Sequence, residues 1–275
     1  MFTSLATLGA LFVAFVTVVA VPAPFDPIEA LEKRANAKVY SSCTVPNTVA
    51  LTFDDGPWVY EYDVVKALDA AGAKGTFFVN ECIYNTDEMN RLKYVHDHGH
   101  MLGSHTWAHK DLTTLTWDQI HDEMWRVEQA LSRIVGVYPA FMRPRESQVT
   151  STMSSSFIAV ICALLAYGNY NDLVLQASAI RGQSVAMWDF DSQDSVGASV
   201  QTSKNLYTSA IARHPSTLLP LNHETIETTV HQVLPFAIQQ LQAAGYRLVT
   251  LADCLGLPAY QSTSAPGTPD STWHC

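Results

Sequence analysis

Residues 48–57 read Thr48-Val49-Ala50-Leu51-Thr52-Phe53-Asp54-Asp55-Gly56-Pro57, an apolar and β-branched run that stops at two adjacent carboxylates and a turn. Acids placed side by side at a strand end can point in different directions, so one can bind a cation while its neighbour works as a base. Asp-Asp-Gly-Pro alone is also an ordinary turn. Outward from this stretch the pattern repeats. Strands are expected at 75–79, 100–104, 140–142, 184–188, 217–221 and 246–250, and helical periodicity falls at 62–71, 86–98, 116–135, 172–181, 200–213 and 225–244. Regular alternation of strand and helix argues for a parallel sheet or barrel with its site at the C-terminal strand ends. A chain of 275 residues, 48% of them hydrophobic, can bury the core of one such catalytic domain.

The formal charge of -10 and the lack of a basic stripe interleaved with aromatics exclude nucleic acid as a partner. Residues 5–21 are almost wholly apolar, end on small residues, and meet Pro22 and Pro24. This reads as a signal peptide over 1–20, too short to be a comfortable membrane span. A pro-segment over 21–34 ends in the dibasic Lys33-Arg34, so the expected product is a secreted, extracellular or wall-located monomer beginning at Ala35. Secretion permits disulfides. Cys43 and Cys254 flank the first and last strands and would tie the ends together, Cys82 and Cys275 could form a second bridge, and Cys162 is left over. The domain is expected over 35–257, with a Pro/Ser/Thr-rich tail, linker-like or loosely packed, over 258–275.

Two further clusters carry chemistry. In His105-Thr106-Trp107-Ala108-His109 the histidines stand four apart, a spacing that on a helical turn lets two imidazoles meet one metal. With one carboxylate they make a catalytic zinc shell that leaves room for water. Leu221-Asn222-His223 closes a late strand, and Asp191 or Asp194 could orient that imidazole and raise its pKa, making an acid for a departing amine.

The chain therefore resembles the family-four carbohydrate esterases, which carry the NodB-type polysaccharide deacetylase domain, and among them the fungal-type chitin deacetylases. Five motifs match in order: 52–57, 105–109, Arg143-Pro144, 191–194 and 221–223. The resemblance implies a distorted (β/α) barrel and a divalent cation, zinc first and cobalt or manganese as alternatives, held by Asp55, His105 and His109. It makes Asp54 the general base, kept in place by Arg143, and His223 the acid, oriented by Asp191. Leu221 and Trp188 would line the acetyl-methyl pocket, and the backbone N–H of Tyr167 would serve the oxyanion. The implied substrate is chitin or a related N-acetylated polysaccharide, with acetylxylan, peptidoglycan or a non-catalytic binding role as alternatives.

One stretch breaks the pattern. Arg143-Pro144 is followed by Arg145-Glu146, and the expected Tyr167-Gly168 comes only after the interpolated residues 145–166, Ser/Thr-rich and then apolar. Codons for Arg145-Glu146-Ser147 can contain a splice donor and those for Leu165-Ala166 an acceptor. Excision would keep the reading frame, leave a proline between Pro144 and Tyr167, and remove Cys162. The stretch reads as translated intron, with a genuine loop insertion bordering the cleft as the competing reading, and the chain that carries it is expected to be impaired or inactive while the spliced form works.

Overall fold

A run of buried residues over 48–56 cannot stand alone, because each apolar face and each backbone N–H needs a partner. The structure, a computed structural model, describes residues 36–146 and 168–275; the signal, the pro-segment, Tyr167, Cys162 and most of the interpolated stretch lie outside them. Thirteen strands are described: β1 Val39–Tyr40, β2 Thr48–Val49, β3 Leu51–Gly56, β4 Gly75–Val79, β5 Met101–Ser104, β6 Val137–Pro139, β7 Phe141–Met142, β8 Ser184–Ala186, β9 Phe190–Asp191, β10 Thr217–Leu218, β11 Pro220–His223, β12 Arg247–Leu248 and β13 Tyr260–Thr263.

Eight of them form one curled sheet in the order β1-β8-β7-β5-β4-β3-β11-β9, and every pairing in it is parallel. Parallel pairing demands crossovers, and the helices between strands supply them. The result is the distorted (β/α) barrel that the family resemblance implies, built on the parallel sheet expected from the alternation. The main core packs Leu51, Phe53 and Phe77 of the sheet against Val64, Leu68 and Leu131 of the helices.

The helix Trp117–Val135 shows how local sequence sets an element. Thr116 and Gln119 form a reciprocal capping box at its start, and Ile120, Met124, Val127, Leu131 and Ile134 recur on one face and are buried. Each such side chain contributes roughly 1.5–3 kcal/mol by leaving water. Gly136 ends the helix at φ 76°. A Cβ there would lie 2.1 Å from the Ser264 carbonyl oxygen, so glycine is required by conformation and by space.

That contact corrects the expectation for the C-terminal tail. Residues 258–275 are not a loose end: β13 pairs antiparallel with β6, Ser264 N–H donates to the Gly136 carbonyl and Gly267 N–H to that of Arg133. Trp273 packs on the main core. Cys275 is bonded to Cys82, and Cys43 to Cys254, so both cysteine pairs are present. Among the described residues no helix is long and apolar enough to cross a membrane.

Candidate active site

The site forms where β3 stops being regular. In a flat strand Asp54 and Asp55 would face opposite sides of the sheet. Here the β3–β4 register slips between Asp54 and Gly56, and Asp55 adopts φ 67°. This bulge turns both acids toward one imidazole, with His105 Nε2 lying 3.7 Å from Asp54 Oδ2 and 3.5 Å from Asp55 Oδ1. The two acids converge on His105 instead of diverging.

The histidine pair is not on a helix, contrary to the spacing argument. Residues 105–111 form a loop after β5, with Thr106 at φ 69° and His109 at φ 50°. Left-handed geometry is a sterically costly outlier for a β-branched residue such as Thr106, and strain of this kind gathers at functional sites. The loop is held from below by Glu123, a buried acid that accepts from Ala108 N–H at 2.6 Å. His105 Nδ1 donates to the Arg143 carbonyl at 2.8 Å, which fixes the tautomer and leaves Nε2 as a lone pair facing inward.

Asp55 Oδ1, His105 Nε2 and His109 Nε2 lie 3.1, 3.5 and 3.4 Å apart. Ligand atoms about 2.0–2.1 Å from a tetrahedral cation are separated by about 3.3–3.4 Å, so the three fit one divalent ion of zinc size. They are the residues that converge in a metal-ligand geometry among those described. Their charge states suit a metal as well. Burial, with His105 beside it, pushes His109 down to about 4, keeping it neutral. Burial opposes ionisation of Asp55, but His105, His109 and His223 outweigh it and hold its carboxyl below the ordinary value. Asn80 Nδ2 donates to Asp55 Oδ1 at 2.9 Å and fixes its orientation.

Arg143 lies just past β7 and is fully buried. Its guanidinium donates to Asp54 Oδ1 and Thr52 Oγ1, each at 2.7 Å, and to the Ala186 and Met187 carbonyls at 3.0 and 2.8 Å. Asp54 is thereby held by one oxygen, and its Oδ2 faces the His105 imidazole. On the neighbouring strand His223 is in register with Asp54.

The structure corrects the partner of that imidazole. Asp194, not Asp191, accepts from His223 Nδ1 at 2.8 Å, and its second oxygen accepts from the His223 N–H at 2.8 Å and Thr229 Oγ1 at 2.9 Å. Asp191 sits in register with Leu221 and turns to its own loop, accepting from Gln193 N–H at 2.7 Å. Burial, with Glu146 and Asp194 nearby, raises Asp191 to about 6. Burial alone would lower His223, but the hydrogen bond and charge of Asp194, with Asp54 and Asp55 behind them, push it up to about 10. Leu221 and Trp188 are buried in one apolar cluster with Met142 and Met187.

Sequence reasoning missed Thr52, Asn80, Glu123 and Glu224. The last is fully buried beside His223, accepts from Trp58 N–H at 2.8 Å, and shares its surroundings with Glu61, another buried acid whose oxygens have no hydrogen-bond partner. Only the unusual adjacency of Glu224 to a strand-end histidine could have drawn attention to it.

A barrel with a divalent-metal shell, a clamped carboxylate and a charged imidazole at its strand ends defines a metal-dependent hydrolase. The chain belongs to the polysaccharide deacetylase family, whose pattern it matches over residues 41–158. It is 32% identical over 248 residues to a chitin deacetylase of a Pestalotiopsis species, covering 88% of this chain and 75% of that one. It is 31% identical to a probable peptidoglycan-N-acetylglucosamine deacetylase of Arthroderma benhamiae, over 80% of this chain but only 47% of that longer protein. The solved chitin deacetylase of Colletotrichum lindemuthianum superposes with a TM-score of 0.70 at 25% identity, covering 83% of this chain and 96% of the other.

Proposed function

We propose that the protein hydrolyses N-acetyl groups of chitin or chito-oligomers, giving acetate and free amino sugars. The observation that carries this reading is the register of β3 and β11, which sets a clamped carboxylate and a protonated imidazole on adjacent strands beside a three-ligand shell. A cation in that shell, zinc first, supplies water acidified toward neutral pH and polarises a carbonyl oxygen.

The chain's own residues do the rest. Asp54 Oδ2 takes the proton from the attacking water while Oδ1 stays bonded to Arg143. His223 keeps its Nδ1–H on Asp194 and offers Nε2–H to the amide nitrogen as the C–N bond breaks. Leu221 and Trp188 present an apolar wall to the acetyl methyl. The backbone N–H of Tyr167 is assigned to the oxyanion, a contribution typically of about 3–4 kcal/mol per donor. Chitin is favoured over peptidoglycan because the Pestalotiopsis and Colletotrichum proteins, both named for chitin, are 32% and 29% identical, against 27% for a peptidoglycan deacetylase matched over a comparable share of its length. Secretion through the signal over 1–20 and action at a wall complete the reading.

The stretch 145–166 is proposed to interrupt this site. Its flanks meet at one point, where Glu146 bridges Gly168 and Asn169 N–H donates to the Arg145 carbonyl at 2.9 Å, so a direct connection could replace it. Acetate release from chitin oligomers by residues 35–275 tests both claims, run beside a form in which one proline replaces the stretch, each with zinc and with chelator. Activity of the shortened form alone, stopped by chelator, is expected. Equal turnover by both forms overturns the claim that the stretch impairs catalysis, and no release by either despite bound zinc removes chitin.

A further inference from the structure

Large apolar side chains are seldom left bare at the mouth of a polar site without a use. At the C-terminal ends of β3 and β9, the two neighbours of β11 in the sheet, Trp58, Val59 and Val196 are 45%, 52% and 67% exposed. The loops that carry them flank His223.

Trp58 differs from an ordinary exposed residue because its backbone is fixed at both polar groups. Its N–H donates to Glu224 Oε1 at 2.8 Å, and its carbonyl accepts from Glu61 N–H at 3.1 Å. Glu224 is fully buried and pressed against Gly56, where a Cβ would come within 2.1 Å of the carboxylate. Glycine at 56 is therefore required for the anchor to exist. The Trp58 backbone, and so the base of the indole, cannot shift without moving the carboxyl group that follows the candidate acid in the chain.

We infer that Trp58 is a stacking surface for a sugar ring of the polymer next to the one being deacetylated. The inference rests on the proposed action on an N-acetylated polysaccharide. A polymer has more rings than the metal site can hold, so its chain must cross the rim, and the rim here is apolar. A pyranose presents a face of C–H bonds that a rigid indole can cover with little loss of side-chain freedom. Neutral sugar rings need no opposite charge, and Trp58 and Val59 present none.

Calorimetric titration of the full chain carrying Asp54→Asn with N-acetylglucosamine and with the chitin tetramer tests this. Trp58→Ala should weaken tetramer binding about tenfold, so that the gain from single sugar to tetramer shrinks, and Trp58→Phe should keep it within about threefold. Zinc content and the unfolding midpoint are measured alongside. Tetramer affinity equal to the parent in both variants would overturn the inference, as would loss of zinc together with sugar, which would make Trp58 a support of the metal loop only. Failure of the deacetylase reading would look different: no acetate released by the zinc-loaded form in which one proline replaces 145–166, with Trp58-dependent tetramer binding still measurable.

Discussion

Asp54 and His223 stand opposite one another in the parallel register of β3 and β11, and each is held by its own buried partner, Arg143 at 2.7 Å and Asp194 at 2.8 Å. The proposed base and acid stand on neighbouring strands, and the side chains that hold them come from just past β7 and from the loop after β9. Their partners lie on different elements, so each hold can be tested separately.

Replacing Arg143 with methionine should destabilise the fold by about 3–5 kcal/mol, because Asp54 would be left as an uncompensated buried carboxylate and two carbonyls would lose a donor. Lysine should not rescue it, since an ammonium cannot reproduce the planar fork that serves four acceptors. Urea unfolding reads the difference; a loss below about 1 kcal/mol would show that the clamp does not hold as described.

His109→Ala should abolish tight zinc binding while leaving the fold intact, because His109 belongs to a loop and is only half-buried. Metal content after dialysis should fall from about one ion per chain to near none. Zinc should raise the unfolding midpoint of the parent and not of the variant.

His223 is raised above its unfolded value, so its charged form contributes stability that is complete below about pH 6.5 and lost as pH climbs through about 10. Asp194→Asn should move the imidazole titration of the metal-free protein to lower pH, while Asp191→Asn should move it far less. Ring-proton NMR separates the two, and equal shifts would restore Asp191 as a partner.

Glu61 and Glu224 carry the opposite chemistry to a salt bridge. Burial raises both, the charge of Glu224 pushing Glu61 further and that of Asp55 pushing Glu224 against the relief from Trp58 N–H. Carboxyls with raised pKa contribute stability at acid pH and lose it as pH rises above the unfolded value near 4.3. Glu61→Gln, a neutral isostere, should therefore stabilise the protein at pH 8 by about 1 kcal/mol or more and do little at pH 4. An unchanged or lowered midpoint at pH 8 would contradict the buried-acid reading.

The sequence by itself determined the order of elements and the chemistry available. Strand β4 and the helix at Trp117–Val135 were readable because their signals are local: a run of β-formers, a capping box, a 3.6-residue stripe. The five motifs, with Asp54, Asp55, His105, His109 and His223, were legible because residue type and strand-end position are linear facts.

Only the tertiary structure decided which of Asp191 and Asp194 holds His223, that Asp54 and Asp55 face one side, and that the tail is a strand. Asp194 wins because the loop after β9 carries it back over β11, a contact across 29 residues of sequence. Asp55 turns inward because β3 slips one residue against β4, and residues 260–263 become β13 only because β6 offers an unpaired edge. Register, bulges and edge pairing are set by partners distant in the chain, and no local pattern encodes which partner arrives.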